Sequence, residues 1–337
     1  MKEIVITNND AGRRLDRFLR KYLKNASLGQ IYKIIRKDVK IEGKRPGEEY
    51  MLVEGDILTL YMNEEDWNKL TGGSAGSESG AAGGRKAKKQ FKIIYEDENI
   101  LIADKPYGLL THGDVHEKKN HLANQVKDYL IEQGEYNPRE EKVFSPAPAN
   151  RIDRNTTGLV LFGKTAQSLK GLNAMIREDL VSKFYLTIVH GTIDKELVLE
   201  GALTKDERIN KVKIGSEGDL AIKTIVRPLQ ELDKNCTLVE VELVTGRSHQ
   251  IRAHLASIGH PIIGDSKYAT KAAVRLNSYL QDRYNLSTQL LHAYRLEFGG
   301  TAAGLEYLLD KEFVAPIPEA FARILAGLGG AADTLHQ

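Results

Sequence analysis

Asp153 stands between two arginines in the run Asn150-Arg151-Ile152-Asp153-Arg154-Asn155-Thr156-Thr157-Gly158. Far along the chain, Thr245-Gly246-Arg247-Ser248-His249-Gln250-Ile251-Arg252-Ala253-His254-Leu255 supplies more cations. It runs on to Gly259-His260-Pro261-Ile262-Ile263-Gly264-Asp265. A carboxylate held among cations stays ionised, because neighbouring positive charge favours the charged form. Such a group suits nucleophilic or proton-transfer chemistry on an anionic substrate. From its neighbours alone, Asp153 is either that catalyst or a structural acid paired with Arg151 or Arg154.

The elements that must carry these residues are readable from their spacing. Ser248–Ile258 reads as a helix, with Ser248 as its N-cap and Gly259 as its stop. Ile251, Leu255 and Ile258 then form its buried stripe, and Arg252 lies roughly 100° away at the border. Its stem can be buried while its guanidinium enters a cleft. Tyr185 follows Lys183 at the start of a β-rich segment, Phe184–His190, where a tyrosine packs or faces a site. A zinc site is the rival reading of His249, His254 and His260. Histidines at i and i+5 lie about 140° apart on a helix, unlike the i, i+4 pair of helical zinc motifs. A metal is therefore not expected, and these histidines and Asp265 read as hydrogen-bonding groups around the helix.

Further β-rich segments are Asn99–Ala103, Leu159–Gly163 and Thr237–Val244. In the last, Val239, Val241 and Leu243 alternate with Glu240 and Glu242, the pattern of a half-buried strand. Helices are expected at His121–Gln133 and Gln167–Glu178. No repeated βαβ rhythm appears. The fold class expected is α+β, with a largely antiparallel mixed sheet flanked by helices and loops.

The first sixty residues are different. Leu15, Phe18, Leu19, Tyr22 and Leu23 form one apolar helical stripe, with Arg13, Arg17, Arg20, Lys21 and Lys24 on the other faces. After a break near 25–27, Ile31, Ile34 and Ile35 begin a second helix, with Lys33, Arg36 and Lys37 outside. Then come Val39-Lys40-Ile41, turns at Glu42-Gly43-Lys44 and Glu54-Gly55-Asp56, and a strand at Ile57–Tyr61. Residues 11–45 hold twelve Lys or Arg against three acids, a local charge of +9 in a chain whose net charge is +2. A basic field of this kind commonly meets phosphates.

Gly72, Gly73, Gly76, Gly80, Gly83 and Gly84 among Ser and Ala, followed by Arg85, Lys86, Lys88 and Lys89, read as a flexible linker with a basic end. The organisation expected is a small basic module over 1–62, a linker over 63–90, a main domain over 91–317, and a tail over 318–337 that begins helical and ends polar.

Composition narrows the classes further. Hydrophobic residues make up 41% and charged residues 28% of 337, ordinary for a globular chain with two domains. No run approaches the roughly 18 apolar residues of a membrane helix. Met1-Lys2-Glu3-Ile4-Val5 lacks a signal-peptide core. The single cysteine, Cys236, allows no internal disulfide and no Cys-based zinc cage, and points to a reducing cytoplasm.

The two opening motifs resemble those of the RluA-type pseudouridine synthases, which isomerise uridine to pseudouridine in RNA, and within them the RluC/RluD group acting on ribosomal RNA. That pattern reads roughly His-Arg-Leu-Asp-x-x-Thr-Ser-Gly, then Gly-Arg-Thr/Ser-His-Gln-Ile/Leu-Arg-x-His. Tyr95-Glu96-Asp97, Ala103-Asp104-Lys105-Pro106-Tyr107-Gly108-Leu109, Lys183-Phe184-Tyr185 through His190-Gly191, and Leu291-His292-Ala293 are similar to further blocks, in order over about residues 91–300. Asn150 stands where His is usual, and Thr157 where Ser is usual. The resemblance implies that Asp153 is the essential aspartate, attacking the nucleotide or assisting N1–C1′ cleavage. It implies that Arg252 pairs with Asp153 and that Tyr185 lies against the base, with a possible proton-transfer role. It implies that Arg151 assists base flipping, with Arg154 and Arg247 as phosphate contacts. No cofactor is implied, since the net change is an isomerisation.

Residues 12–61 are similar to an S4 RNA-binding domain, with Arg-Leu-Asp-x-x-Leu, a short basic helix, a Val-x-Ile-x-Gly-Lys hairpin and Gly-Asp. This resemblance implies RNA contacts at Arg13, Arg14, Arg17, Lys33, Arg36, Lys37 and Lys44. The expected enzyme is a cytoplasmic monomer whose partner is RNA, ribosomal in the first reading. Transfer RNA, or a catalytically silent RNA-binding assembly factor, are the alternatives.

Overall fold

In a computed structural model of the chain, residues 1–72, 88–138, 140–206, 211–215 and 220–331 are described. They divide between two compact units. One comprises Met1–Lys89, Gln125–Ala147 and Gly163–Lys170; the other comprises Gln90–Asn124, Pro148–Phe162 and Gly171–Gln337.

The first unit opens with β1 (Lys2–Val5), α1 (Leu15–Tyr22), α2 (Leu28–Asp38), β2 (Val39–Ile41), β3 (Ile57–Leu60) and α3 (Glu64–Thr71). The strands form a three-stranded antiparallel sheet in the order β1-β3-β2. Leu15, Phe18, Leu19 and Leu23 are buried, as their spacing predicts, against Ile31 and Ile35. Each such side chain contributes about 1.5–3 kcal/mol by leaving water. Helix α2 starts at a capping box in which Ser27 Oγ accepts from Gln30 N while Gln30 Oε1 accepts from Ser27 N. Helix α3 corrects the linker boundary: 64–71 are helical, not linker. Asn63 Oδ1 caps Asp66 N, three acids fill the first turn, and Gly72 ends the helix in the left-handed region. The glycine-rich stretch 73–87 lies outside the described residues.

The rest of the chain gives β4 (Lys92–Glu96), β5 (Ile100–Lys105), α4 (Leu122–Glu132), β6 (Ala147–Pro148), β7 (Thr157–Gly163), α5 (Ala166–Arg177), β8 (Val181–His190), β9 (Leu197–Asp206), β10 (Lys211–Gly215), β11 (Leu220–Leu232), β12 (Cys236–Leu243), α6 (Gln250–Ser257), α7 (Val274–Tyr284), β13 (Leu291–Phe298), β14 (Glu312–Val314) and α8 (Glu319–Gly327). The sheet runs β10-β9-β11-β12-β8-β13-β7-β5-β4, with β14 beside β13 and β6 beside β7. Pairing is antiparallel at β8–β12 and β8–β13 and parallel at β7–β13. The expected class, a large mixed and mostly antiparallel sheet with helices, is what forms.

At the parallel seam Gly158 lies opposite Ala293. Its φ is +106°, and a Cβ there would stand 2.0 Å from the Ala293 carbonyl oxygen, so only glycine permits the approach. Strand β12 is buried on both faces, not half-buried as its alternation suggests. Glu240 is 8% exposed and accepts from the Tyr294 hydroxyl and from Arg295 Nη2, the latter at 2.9 Å. A buried acid with such partners escapes most of the cost of leaving water. The segment expected as a tail begins helical, as read, but is packed down: Phe321, Ile324 and Leu325 of α8, with Leu328, join the core beside Leu186, Ile188 and Leu238. Residues 332–337 lie outside the described residues.

Candidate active site

The loop between β6 and β7 carries Asp153, and its neighbours fix it from several directions. Ile152 is buried, and its N–H donates to Thr111 Oγ1 at 3.3 Å while its carbonyl accepts from that hydroxyl at 2.9 Å. Asn150 Oδ1 accepts from Leu161 N at 2.8 Å. Thr156 N donates to the Asp153 carbonyl at 3.1 Å, closing a turn. The alternation that follows leaves Arg151 and Arg154 exposed and Asp153 half-buried.

Lys105, at the end of β5, is wholly buried and holds the same loop from beneath. Its Nζ donates to Arg154 O at 2.9 Å, Pro106 O at 3.0 Å and Leu109 O at 2.7 Å. Three carbonyls match the three donors of an ammonium. Burial pulls its pKa down to about 7, while the charges of Asp153 and Asp104 act in the opposite direction. This residue lies in a motif that the sequence displays, but its function as a clamp is invisible there. Its acceptor at Arg154 is 49 positions away.

Helix α6 begins differently from the expectation. His249, not Ser248, is the N-cap, in the left-handed region at φ +57°, and its side chain makes no capping bond. The buried amide of Gln250 organises the turn instead. Its Oε1 accepts from Thr245 Oγ1 at 2.9 Å and Arg247 N at 3.1 Å, and its Nε2 donates to Lys223 O at 2.9 Å and Thr224 Oγ1 at 3.0 Å.

Arg252, on the next part of the helix, is 7% exposed. Its Nε and Nη2 donate to Asp265 at 2.7 and 3.0 Å, and its Nη1 donates to Asp153 Oδ2 at 3.1 Å. Burial works against its charge. The bonds and charge of Asp265, then of Asp153, more than offset this, so its pKa stands above the ordinary value. Asp265 is itself 1% exposed and accepts from Lys267 N and Tyr268 N. His249 Nε2 lies 3.8 Å from Asp153 Oδ2, while its Nδ1 meets the Tyr268 hydroxyl at 3.1 Å. Burial, chiefly, lowers the His249 pKa, which favours neutral imidazole.

Tyr185 sits on β8, paired with Val241 and Ala293, and is almost fully buried. Burial first, and then the charge of Asp153, push its phenol well above the usual range. It therefore keeps its proton at neutral pH, which suits packing and hydrogen donation and disfavours service as a base. Thr157 Oγ1 meets His292 Nδ1 at 2.8 Å across the β7–β13 seam. Burial lowers the His292 pKa to about 4.

Arg151 and Asp153 line three adjoining cavities. One, of about 510 Å³, adds Arg154, Lys267 and Thr288. A small one of about 50 Å³ and a larger one of about 450 Å³ share Tyr185 and Arg247. The structure thus brings together Asp153, Arg252, Tyr185, Arg151, Arg154 and Arg247. Arg13, Arg14, Arg17, Lys33, Arg36, Lys37 and Lys44 all belong to the other unit. There Arg17, Lys33, Lys37 and Lys44 are exposed, whereas Arg14 is paired with Asp16 at 3.0 Å and Glu49 at 2.9 Å. The three histidines whose spacing raises the question of a metal face separate partners: beside His249 on Tyr268, His254 Nδ1 meets Thr224 Oγ1, and His260 Nδ1 meets the His190 carbonyl.

Asp153 is thus held by Arg252, itself fixed by Asp265, at a point common to three cavities. The family model for RNA pseudouridylate synthase matches residues 99–257. The ribosomal large subunit pseudouridine synthase C of Vibrio parahaemolyticus is 31% identical over 330 residues, covering 96% of this chain and 95% of its own. This chain belongs to the RNA pseudouridylate synthase family. The ribosomal large subunit pseudouridine synthase C of Escherichia coli is 30% identical over 338 residues, covering 98% of each chain. Among solved structures, human RNA pseudouridylate synthase domain containing 4 superposes with a TM-score of 0.53 at 21% identity, covering 70% of this chain and 92% of that one. The fold is therefore shared at low sequence identity. Within this family member, Asn150 acts through its backbone-directed amide oxygen and Thr157 through His292. Both departures from the family pattern thus hold the loop and its strand.

Proposed function

We propose that this chain isomerises specific uridines of large-subunit ribosomal RNA to pseudouridine, with Asp153 as the essential group. The observation that carries the reading is the Asp153–Arg252 contact at 3.1 Å, at a point common to three cavities. The named function of full-length relatives supplies the RNA class. In the reaction the N1–C1′ bond breaks and a C5–C1′ bond forms; N1 gains a proton and C5 loses one. The carboxylate of Asp153 attacks the nucleotide or assists the cleavage, which divides one difficult step into two. Arg252 holds that carboxylate, and Tyr185 packs against the base with its hydroxyl as donor. Arg151 enters the space left by the flipped uridine, and extrusion of that uridine costs a few kcal/mol. Arg154 and Arg247 contact phosphates. No step calls for a cofactor.

The small N-terminal module is an S4-like RNA-binding domain in this reading, with Arg13, Arg14, Arg17, Lys33, Arg36, Lys37 and Lys44 as its RNA-facing cations. The enzyme works as a cytoplasmic monomer. The test is a map of pseudouridines in cells lacking the protein, complemented with wild type or with Asp153→Asn. Large-subunit sites should vanish, return with wild type and stay absent with the variant. Loss confined to transfer RNA would overturn the ribosomal assignment, and an unchanged map would overturn the enzymatic one.

A further inference from the structure

Tyr107 is 57% exposed, on the turn that follows Lys105-Pro106. A large aromatic ring left in water on a turn contributes nothing to a core. This one is nevertheless held in place. Its hydroxyl accepts a hydrogen bond from Thr288 Oγ1 at 3.1 Å. Lys105 Nζ grips the turn on both sides of the ring, at Pro106 O and Leu109 O, and with its third donor grips the Asp153 loop at Arg154 O. Gly108, at φ +81°, permits the turn, and Leu109 beyond it is buried. The ring is thus fixed to the same buried ammonium as the candidate catalytic loop.

Thr288, to which the ring is tethered, lines the 510 Å³ cavity together with Arg151, Asp153, Arg154 and Lys267. Tyr185 does not line that cavity; it lines the two others. A uridine packed against Tyr185 therefore leaves the 510 Å³ cavity to the strand beside it. Its lining carries Arg151, Arg154, Arg252 and Lys267 against Asp114, Asp153 and Asp265, and the exposed Tyr107 ring is bonded to Thr288, another of its lining residues. Cationic grooves combined with aromatic platforms are how proteins hold single-stranded RNA whatever its sequence.

Resting on the function proposed above, we infer that Tyr107 is a stacking platform for the base of a nucleotide adjacent to the target uridine, whose backbone passes through the cavity lined by Arg154 and Lys267. Tyr107 is a binding residue in this scheme and takes no part in the bond exchange. It fixes the register of the strand, so that the uridine reaching Asp153 is set by the position of its neighbour.

The experiment uses the full chain in two measurements. The first is release of tritium from C5 of uridine in a large-subunit ribosomal RNA transcript, since C5 must lose its hydrogen. Tyr107→Ala should raise KM about tenfold or more and leave kcat within about threefold. Tyr107→Phe and Tyr107→Trp, which keep the ring face, should stay near wild type, as should Tyr279→Ala, an exposed tyrosine on α7. The second measures fluorescence of short single-stranded RNAs carrying one uridine with 2-aminopurine on one side or the other. Wild type and Tyr107→Phe should quench one of the two probes, and Tyr107→Ala should not. An unchanged KM in Tyr107→Ala, a fall in kcat alone, or quenching that survives the alanine overturns the inference. Absence of tritium release from wild type would instead overturn the proposed function, and the fluorescence arm would still report stacking.

Discussion

Asp265 holds Arg252 by two hydrogen bonds, at 2.7 and 3.0 Å, and so leaves one guanidinium nitrogen aimed at Asp153. The orientation of the arginine is thus set by a residue 13 positions downstream that itself lies outside solvent. A planar guanidinium with fixed donors transmits that orientation in a way that a lysine could not.

Replacing Asp265 tests this directly. Asp265→Asn keeps the volume but turns one acceptor into a donor facing the guanidinium. Breaking a buried ion pair in this way should cost about 3–5 kcal/mol of stability. Assayed well below its melting temperature, the variant should also lose about tenfold or more in kcat, because a small displacement of a reacting group is costly. Unfolding scans and tritium release from C5-labelled RNA read the two effects separately. A folded variant with wild-type kcat would show that Asp265 does not position Arg252.

Lys105 predicts a pH dependence of stability. Its pKa is pulled by burial to about 7 in the folded protein, from 10.5 when unfolded. Below pH 7 both states carry the proton, and the cost of burying the charge is felt in full. Between pH 7 and 10.5 the unfolded state binds more protons, so this group makes stability rise with pH. The contribution approaches about 1.4 kcal/mol per pH unit across that window. Lys105→Met removes the titrating group. Urea unfolding from about pH 6 to about pH 10 should therefore show the wild type gaining stability relative to the variant as pH rises. Parallel curves would contradict this assignment.

The Thr157–His292 bond predicts which substitutions the loop strand tolerates. Thr157→Val leaves the buried Nδ1 of His292 without its partner and should cost about 1–3 kcal/mol. Thr157→Ser restores the hydroxyl that the family pattern carries and should stay within about 1 kcal/mol of wild type, the worth of one methyl. Denaturant midpoints of the two variants distinguish these outcomes.

The basic module predicts a salt dependence. Exchanging Arg17, Lys33, Lys37 and Lys44 for Gln should weaken RNA binding and flatten the plot of log affinity against log salt. For every phosphate left without its cation, the slope should fall by about 0.7 on single strands or about 0.9 on duplex. A slope that does not move would place the RNA footprint elsewhere.

Much of the fold and the site is legible in the residues themselves. The α1 stripe follows from local periodicity, which the folded chain keeps, and the helices expected near 122–132 and 166–177 and the β-rich segment carrying Tyr185 form where they are read. Asp153 and Arg252 stand out because their neighbours repeat a family pattern. What escapes a linear reading depends on long-range partners. The Ser248 cap gives way to Gln250, whose two acceptors on β11, Lys223 O and Thr224 Oγ1, are supplied only once that strand packs against the helix. Glu240 reads as solvent-facing because alternation cannot reveal Tyr294 and Arg295 arriving from β13. The α8 segment reads as a tail because its polar end obscures the apolar face of its first turns.

The parallel seam between β7 and β13 bears on the order of assembly. Strand β13 is synthesised after every other strand of the main sheet path, yet it lies between β8, which carries Tyr185, and β7, which follows Asp153. Until residues 291–298 have emerged, those two strands have no shared neighbour. Joining them closes a chain loop of more than a hundred residues, the kind of non-local contact that slows folding. Synthesis from the N-terminus therefore leaves the strand that carries Tyr185 and the strand that follows Asp153 without their common partner until residues 291–298 are made.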